Sequence, residues 1–178
     1  MTTWTTAASA TGDADVDAQS GFTHRVLIAS AALSGTGQQY VRVTFEASSA
    51  QALTVGNAYI GTAADAGDAY DFAAAPTTLT FSGAAGFAIN AGASIVSDKI
   101  AYSITAGKNL IVSFYVSGDA THDSLRYDAS IANWTDYYKE ASDAATVDAT
   151  GYSTVATRAY GVMKVEAGRN SAFVMICD

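Results

Sequence analysis

Two stretches of strict alternation constrain what this chain can fold into. In residues 39–46, Val41, Val43 and Phe45 fall on one side, and Tyr40, Arg42, Thr44 and Glu46 fall on the other. Successive side chains of an extended strand point to opposite faces, so this segment is a strand with one dry and one wet face. Residues 110–116 repeat the pattern, with Leu110, Val112, Phe114 and Val116 set against Ile111, Ser113 and Tyr115. The second set is itself partly apolar. That predicts a central strand covered on both faces, with Phe114 in the core.

Further strands are expected at residues 25–33, 53–62, 78–81, 87–89, 95–104, 124–127, 152–165 and 172–177. Most are short, β-branched or aromatic, and bounded by Gly, Ser, Asn or Asp. No segment carries a sustained 3.6-residue apolar stripe with caps; the best helix candidate is a turn or two at residues 136–141. Residues 62–71 and 135–151 read as long loops. The expected fold is therefore all-β, an antiparallel β-sandwich of jelly-roll-like form. It forms one domain over residues 21–178, preceded by an N-terminal arm over residues 1–20 in which burial of Trp4 pins the start.

Composition excludes several classes of function. The chain has 178 residues, of which 49% are apolar, and ten tyrosines, enough to build a core without disulfides or metals. A formal charge of -8 with nine scattered basic residues leaves no basic stripe to follow a phosphate backbone, so nucleic acid is not an expected partner. The longest apolar run, residues 110–116, is about a third of a membrane span, and no membrane crossing is expected. The first eight residues lack the charged and apolar regions of a secretory signal. Synthesis in a cytoplasm is expected, unless a leader was removed. Cys177 is the single cysteine, so no intramolecular disulfide can form, and it reads as a buried strand residue.

The strongest recognition candidate is the run Asn133-Trp134-Thr135-Asp136-Tyr137-Tyr138. Aromatic faces stack on sugar rings or pack at protein interfaces, and Asn133 and Asp136 can bond the hydroxyls so oriented. In the competing reading, Trp134 and a tyrosine cap an open end of the sandwich. Trp134→Ala distinguishes the two, abolishing polysaccharide retention in the first and unfolding the protein in the second. Asn133-Trp134-Thr135 is also a glycosylation sequon, idle without a secretory route.

Calcium is the one cofactor with candidate ligands. Asp13, Asp15 and Asp17 set hard oxygen donors at alternate positions, and Asp65, Asp68 and Asp71 recur every third residue in an Ala-Gly loop. The first set departs from an EF-hand, because Ala18 and His24 occupy the places of the required glycine and glutamate; a solvated acidic turn is its plain alternative. Asp119 and His122 have the spacing of an acid and base, yet no serine motif accompanies them, and they read as structural. His24, at the start of a strand, is expected to hydrogen-bond on the sheet surface.

Several motifs also occur in a known order: Trp4-Thr5-Thr6-Ala7, Thr23-His24-Arg25-Val26, Tyr40-Val41-Arg42-Val43, Leu53-Thr54-Val55-Gly56-Asn57-Ala58 and Ile89-Asn90-Ala91-Gly92-Ala93-Ser94-Ile95-Val96-Ser97-Asp98. Tyr160-Gly161-Val162-Met163-Lys164-Val165-Glu166-Ala167 and Ala172-Phe173-Val174-Met175 complete the series. Together they resemble the N-terminal β-sandwich that precedes the catalytic domain in a group of SGNH (GDSL-type) hydrolases. In that family the last apolar strand leads into Gly-Asp-Ser, whose serine is the nucleophile. Here Cys177 stands at the glycine and Asp178 at the aspartate, with no serine following. The resemblance implies a carbohydrate-binding-module-like sandwich without its enzyme, in which His122 is a structural or loop residue.

The expected function is that of a non-enzymatic surface structural, decoration or adhesion protein of a bacteriophage virion, serving as a capsid or tail accessory on the virion surface. Its expected partners are further copies of itself, other virion proteins and host surface glycan. The alternatives are an extracellular carbohydrate-binding module and the front fragment of an SGNH esterase that lacks its catalytic domain.

Overall fold

A computed structural model describes residues 1–170, and the alternating segments lie at its centre. In chain order the strands are β1 (Thr2–Ser9), β2 (Ala14–Val16), β3 (Phe22–Ile28), β4 (Tyr40–Glu46), β5 (Leu53–Thr62), β6 (Thr77–Leu79), β7 (Phe87–Ile89) and β8 (Ser94–Val96). They continue as β9 (Ile100–Ala101), β10 (Leu110–Val116), β11 (Leu125–Asp128), β12 (Trp134–Glu140), β13 (Ser153–Ala156), β14 (Ala159–Tyr160) and β15 (Val162–Asn170). One 3₁₀ turn, Ser30–Ala32, comes after β3.

A seven-stranded sheet runs β13-β12-β3-β10-β5-β6, with β7 also paired to β5. A five-stranded sheet runs β1-β15-β4-β8, with β9 also on β4, and a small sheet joins β14, β11 and β2. Every strand pairing is antiparallel. Val41, Val43 and Phe45 of β4 are fully buried against Val112, Phe114 and Val116 of β10, and the Phe45 and Phe114 rings meet edge to face at 5.4 Å. The molecule is thus a β-sandwich. Full burial of each such side chain contributes about 1.5–3 kcal/mol.

The second face of β10 is also covered, as its mixed pattern predicts. Ile111 is buried on the outer side with Phe72 and Ala63, because the loop after β5 folds back over the sheet.

Several expectations are corrected. Residues 1–20 are not an arm: β1 pairs along β15 from Thr2↔Asn170 to Ser9↔Lys164, and β2 pairs with β11. Trp4 is only half-buried and lies on the outer face, its ring 4.5 Å from the Arg42 guanidinium. Gly168 makes room for it, since a Cβ there would stand 2.7 Å from the indole. Residues 136–141 are not helical, because β12 occupies this stretch and confines the expected loop to the residues after Glu140. Residues 95–104 divide into β8 and β9, and residues 152–165 break at Thr157 and Gly161, where φ is 57° and 66°. The expected strand at 172–177, Cys177 included, lies outside the described residues.

Candidate functional site

Strands β3 and β12 are neighbours in register, with His24 opposite Tyr138 and Val26 opposite Asp136. The pleat therefore turns His24 and Asp136 to the same inner side, where they are 1% and 0% exposed. His24 Nδ1 bonds Asp136 Oδ2 at 3.0 Å, and His24 Nε2 lies 3.1 Å from Gln19 Oε1. The Gln19 amide is itself held, since its Nε2 donates to the Asp17 carbonyl at 2.8 Å. The imidazole stacks on Phe114 at 5.2 Å, on Tyr160 at 5.7 Å and on Tyr138 at 6.3 Å. His24 is thus an interior residue and not a surface one.

Beside this pair is a cleft of about 190 Å³, lined by His24, Asp136 and Gln19 together with Tyr138, Tyr160, Val155 and Val16. Asp136 Oδ1 has no hydrogen-bond partner among the described residues. Burial pushes the Asp136 carboxyl above the usual range, and its pairing with His24 acts in the opposite direction without overcoming this. Tyr160 is fixed from behind, stacked on Tyr127 at 4.8 Å, while Arg158 lies over Tyr127 at 5.0 Å and reaches the Tyr160 hydroxyl at 3.4 Å.

An imidazole held by a carboxylate is the base-and-orienter half of a nucleophilic triad. Here the nitrogen that would receive a nucleophile's proton faces Gln19, and no serine, threonine or cysteine lines the cleft among the described residues. The pair is therefore saturated within the chain, with Nδ1 on Asp136 and Nε2 on Gln19.

The aromatic run singled out in the sequence is split by the same pleat. Trp134 is 2% exposed and belongs to the core, Asp136 and Tyr138 reach the cleft, and Tyr137 faces the opposite side, where its ring meets Tyr70 at 5.3 Å. Asn133 is exposed in the left-handed region, φ 65°, and its carbonyl accepts from the Ala29 amide. The run is therefore not a continuous stacking platform. Gln19 and Val155 are brought to the site by tertiary pairing and no sequence motif marks them, while Tyr160 stood in a run quoted only for the family resemblance and not as a site residue.

The acidic sets disperse. Asp13 accepts from the Ala129 amide, Asp15 clamps Arg126 at 2.9 Å, and Asp17 accepts from the Ser124 hydroxyl at 2.6 Å. Asp65 pairs with Lys108 at 2.6 Å, Asp68 accepts from the Tyr70 hydroxyl, and Asp71 accepts from the amides of Asp68 and Ala149. Among the described residues no group of three or more His, Cys, Asp or Glu side chains converges as a metal shell. Asp119 and His122 form an exposed pair at 3.0 Å, and the Thr121 hydroxyl with His122 holds the Asp119 carboxyl well below the usual range.

A second buried group lies on the opposite face of β3. Arg25 is fully buried, its Nη1 donates to the Tyr70 carbonyl at 2.6 Å, and its Nη2 donates to the carbonyls of Asp143 and Thr146 at 3.1 and 2.5 Å. It pins the loops after β5 and β12 against the sheet. The molecule is thus defined as a β-sandwich enclosing a His-Asp pair beside a small aromatic cleft. Compared with known proteins, the chain matches no protein-family model and no curated protein.

Proposed function

We propose that this chain is a non-enzymatic surface protein of a bacteriophage particle, structural or adhesive, assembling with copies of itself or with other virion proteins. The observation that supports this reading most is the edge strand β13. It is the outermost strand of the seven-stranded sheet, and its sequence, Ser153-Thr154-Val155-Ala156, carries no charge and no proline. Ser153, Thr154 and Ala156 are exposed. Soluble monomers guard such edges with charges, bulges, proline or shortness; β13 has only the last, at four residues, and its outward amides and carbonyls are a template for another strand.

Apolar surface supplies little of the association. Among the described residues Met1, Val96 and Val147 are the large hydrophobic side chains left exposed, and they form no continuous patch along one strand. Assembly then runs through backbone pairing at an edge. The saturated imidazole of His24 supports the non-enzymatic part of the reading.

Light scattering on the purified chain tests it, with negative-stain imaging of the product. A discrete oligomer or lattice is expected, and Thr154→Lys, which charges the edge without touching the core, should return it to a monomer of unchanged circular dichroism. A strict monomer for the unaltered chain across the accessible concentration range overturns the proposal.

A further inference from the structure

We infer that β13 pairs antiparallel with β13 of a second copy, about a two-fold axis at Thr154, so that the seven-stranded sheets of two chains run on as one. This rests on the assembly reading of β13 and goes further than it, since it fixes the partner, the symmetry and the register.

Backbone geometry selects the register. Gly151 and Thr157 bracket the strand with φ of 78° and 57°, left-handed values at which a ladder stops. Between them lie residues 152–156, with Thr154 in the middle. Among the described residues no loop backbone bonds residues 153–156, so the outward side of β13 is open. Residues directly opposite in an antiparallel pair share a face of the sheet, so a two-fold pairing sets one residue against its own copy. With Thr154 against the partner's Thr154, Ser153 meets the partner's Val155, Tyr152 meets the partner's Ala156, and the whole run is paired. Moving the axis to Ser153 or Val155 draws Gly151 or Thr157 into the ladder.

The faces agree with this register. Thr154 and Ala156 lie on the side of Tyr137 and Thr135, and Ser153 and Val155 lie on the side of Tyr138 and Asp136. Each residue therefore meets one from its own side, and a Thr–Thr pair, favourable across strands, stands at the axis. Charge selects the direction. Asp143 and Asp148 precede the run and Arg158 follows it. Antiparallel pairing brings the acidic approach to each strand beside the basic exit of the other, whereas parallel pairing sets like charge beside like. The contact is closed, because each copy uses up the edge of the other, and it is short, so the dimer should depend on concentration.

Disulfide cross-linking tests symmetry and register together, with the lone cysteine removed as Cys177→Ser in every variant. Directly opposite residues have Cα atoms about 4.5–5.5 Å apart, within disulfide range, whereas Ser153 would stand about 8 Å from the partner's Ser153, beyond it. Thr154→Cys alone should convert to a covalent dimer under mild oxidation, read on a non-reducing denaturing gel. Ser153→Cys and Val155→Cys should each stay single on their own and cross-link when the two are mixed. A Thr154→Cys variant with the circular dichroism of the parent that fails to cross-link, at concentrations where light scattering finds an oligomer, overturns this inference and leaves the particle reading standing. Cross-linking of Ser153→Cys alone as fast as Thr154→Cys also overturns it, because it denies the register. A strict monomer by light scattering overturns the particle reading, and this inference with it.

Discussion

The guanidinium carbon of Arg25 lies 5.1 Å from the centre of the Tyr152 ring, and the Phe72 ring stands 4.8 Å from the same carbon. A fully buried cation is held here by π faces and three backbone carbonyls, with no carboxylate within ion-pairing distance among the described residues. Removing it strands the carbonyls of Tyr70, Asp143 and Thr146 at once. Arg25→Met should destabilise the fold by about 3 kcal/mol in urea unfolding. Limited proteolysis should then cut first in residues 63–76 and 141–152. Arg25→Lys should recover little, because an ammonium cannot reproduce the planar fork.

Tyr152 should contribute to the alkaline limb of stability, with Tyr70, Tyr102, Tyr137 and Tyr160, whose phenols are also held above their ordinary value. Burial, and donation of its hydroxyl to the Asp143 carboxylate, hold the phenol proton well above its ordinary value, while Arg25 pulls the other way. The folded state therefore keeps a proton that the unfolded chain loses above pH 10. Stability should be at its full level below pH 10 and fall as pH rises beyond it. Tyr152→Phe should flatten that fall in urea midpoints measured across the alkaline range.

The acid limb should report Glu166. Burial raises its carboxyl, but the bidentate Arg42 guanidinium at 2.8 and 3.1 Å, with Lys164 beyond, outweighs burial and holds it below the usual glutamate range. The stability this pair supplies is present above pH 4.5 and is lost as pH falls through the lowered value. Glu166→Gln should shrink the acid dependence. Arg42→Met should do the same and also shift Trp4 fluorescence, because Arg42 lies over that ring.

His24 and Asp136 should behave as a unit. Truncating one partner leaves the other buried and unpaired, so His24→Ala and Asp136→Ala should each cost about 3–5 kcal/mol. The double variant His24→Leu/Asp136→Leu should lose much less than the sum of the two, a coupling that a double-mutant cycle in urea measures directly.

Trp134→Ala should unfold the protein or cost about 3–5 kcal/mol, since the indole is core. Thermal unfolding monitored by circular dichroism checks this.

Much of the sandwich was legible in the sequence because its apolar strands declare themselves. Val41, Val43 and Phe45 against Arg42 and Thr44 can be read only one way, and the apolar second face of residues 110–116 announced the cover that Phe72 supplies. β12 escaped because its inward position between Trp134 and Tyr138 is an aspartate. A buried carboxylate breaks the apolar half of the alternation, and the remaining pattern mimics a polar turn. β1 escaped for a related reason: Thr2, Thr3, Thr5 and Thr6 give no contrast between faces. The candidate site was barely legible. Asp136 and Tyr138 were singled out, but as part of an exposed aromatic run, while their partners His24, Gln19 and Tyr160 lie far away along the chain and meet them only through pairing register.

The pairing of β1 with β15 bears on how the molecule is made. Thr2 and Asn170 meet across 168 residues, and β15 stands between β1 and β4. While the nascent chain lengthens, both β1 and β4 have a side that nothing can yet occupy, and the five-stranded sheet cannot zip up piece by piece. Its closure waits for β15, which follows in the chain the strands on both of its sides. Such long-range closure makes folding slow and leaves two strand edges open to foreign pairing until it is done.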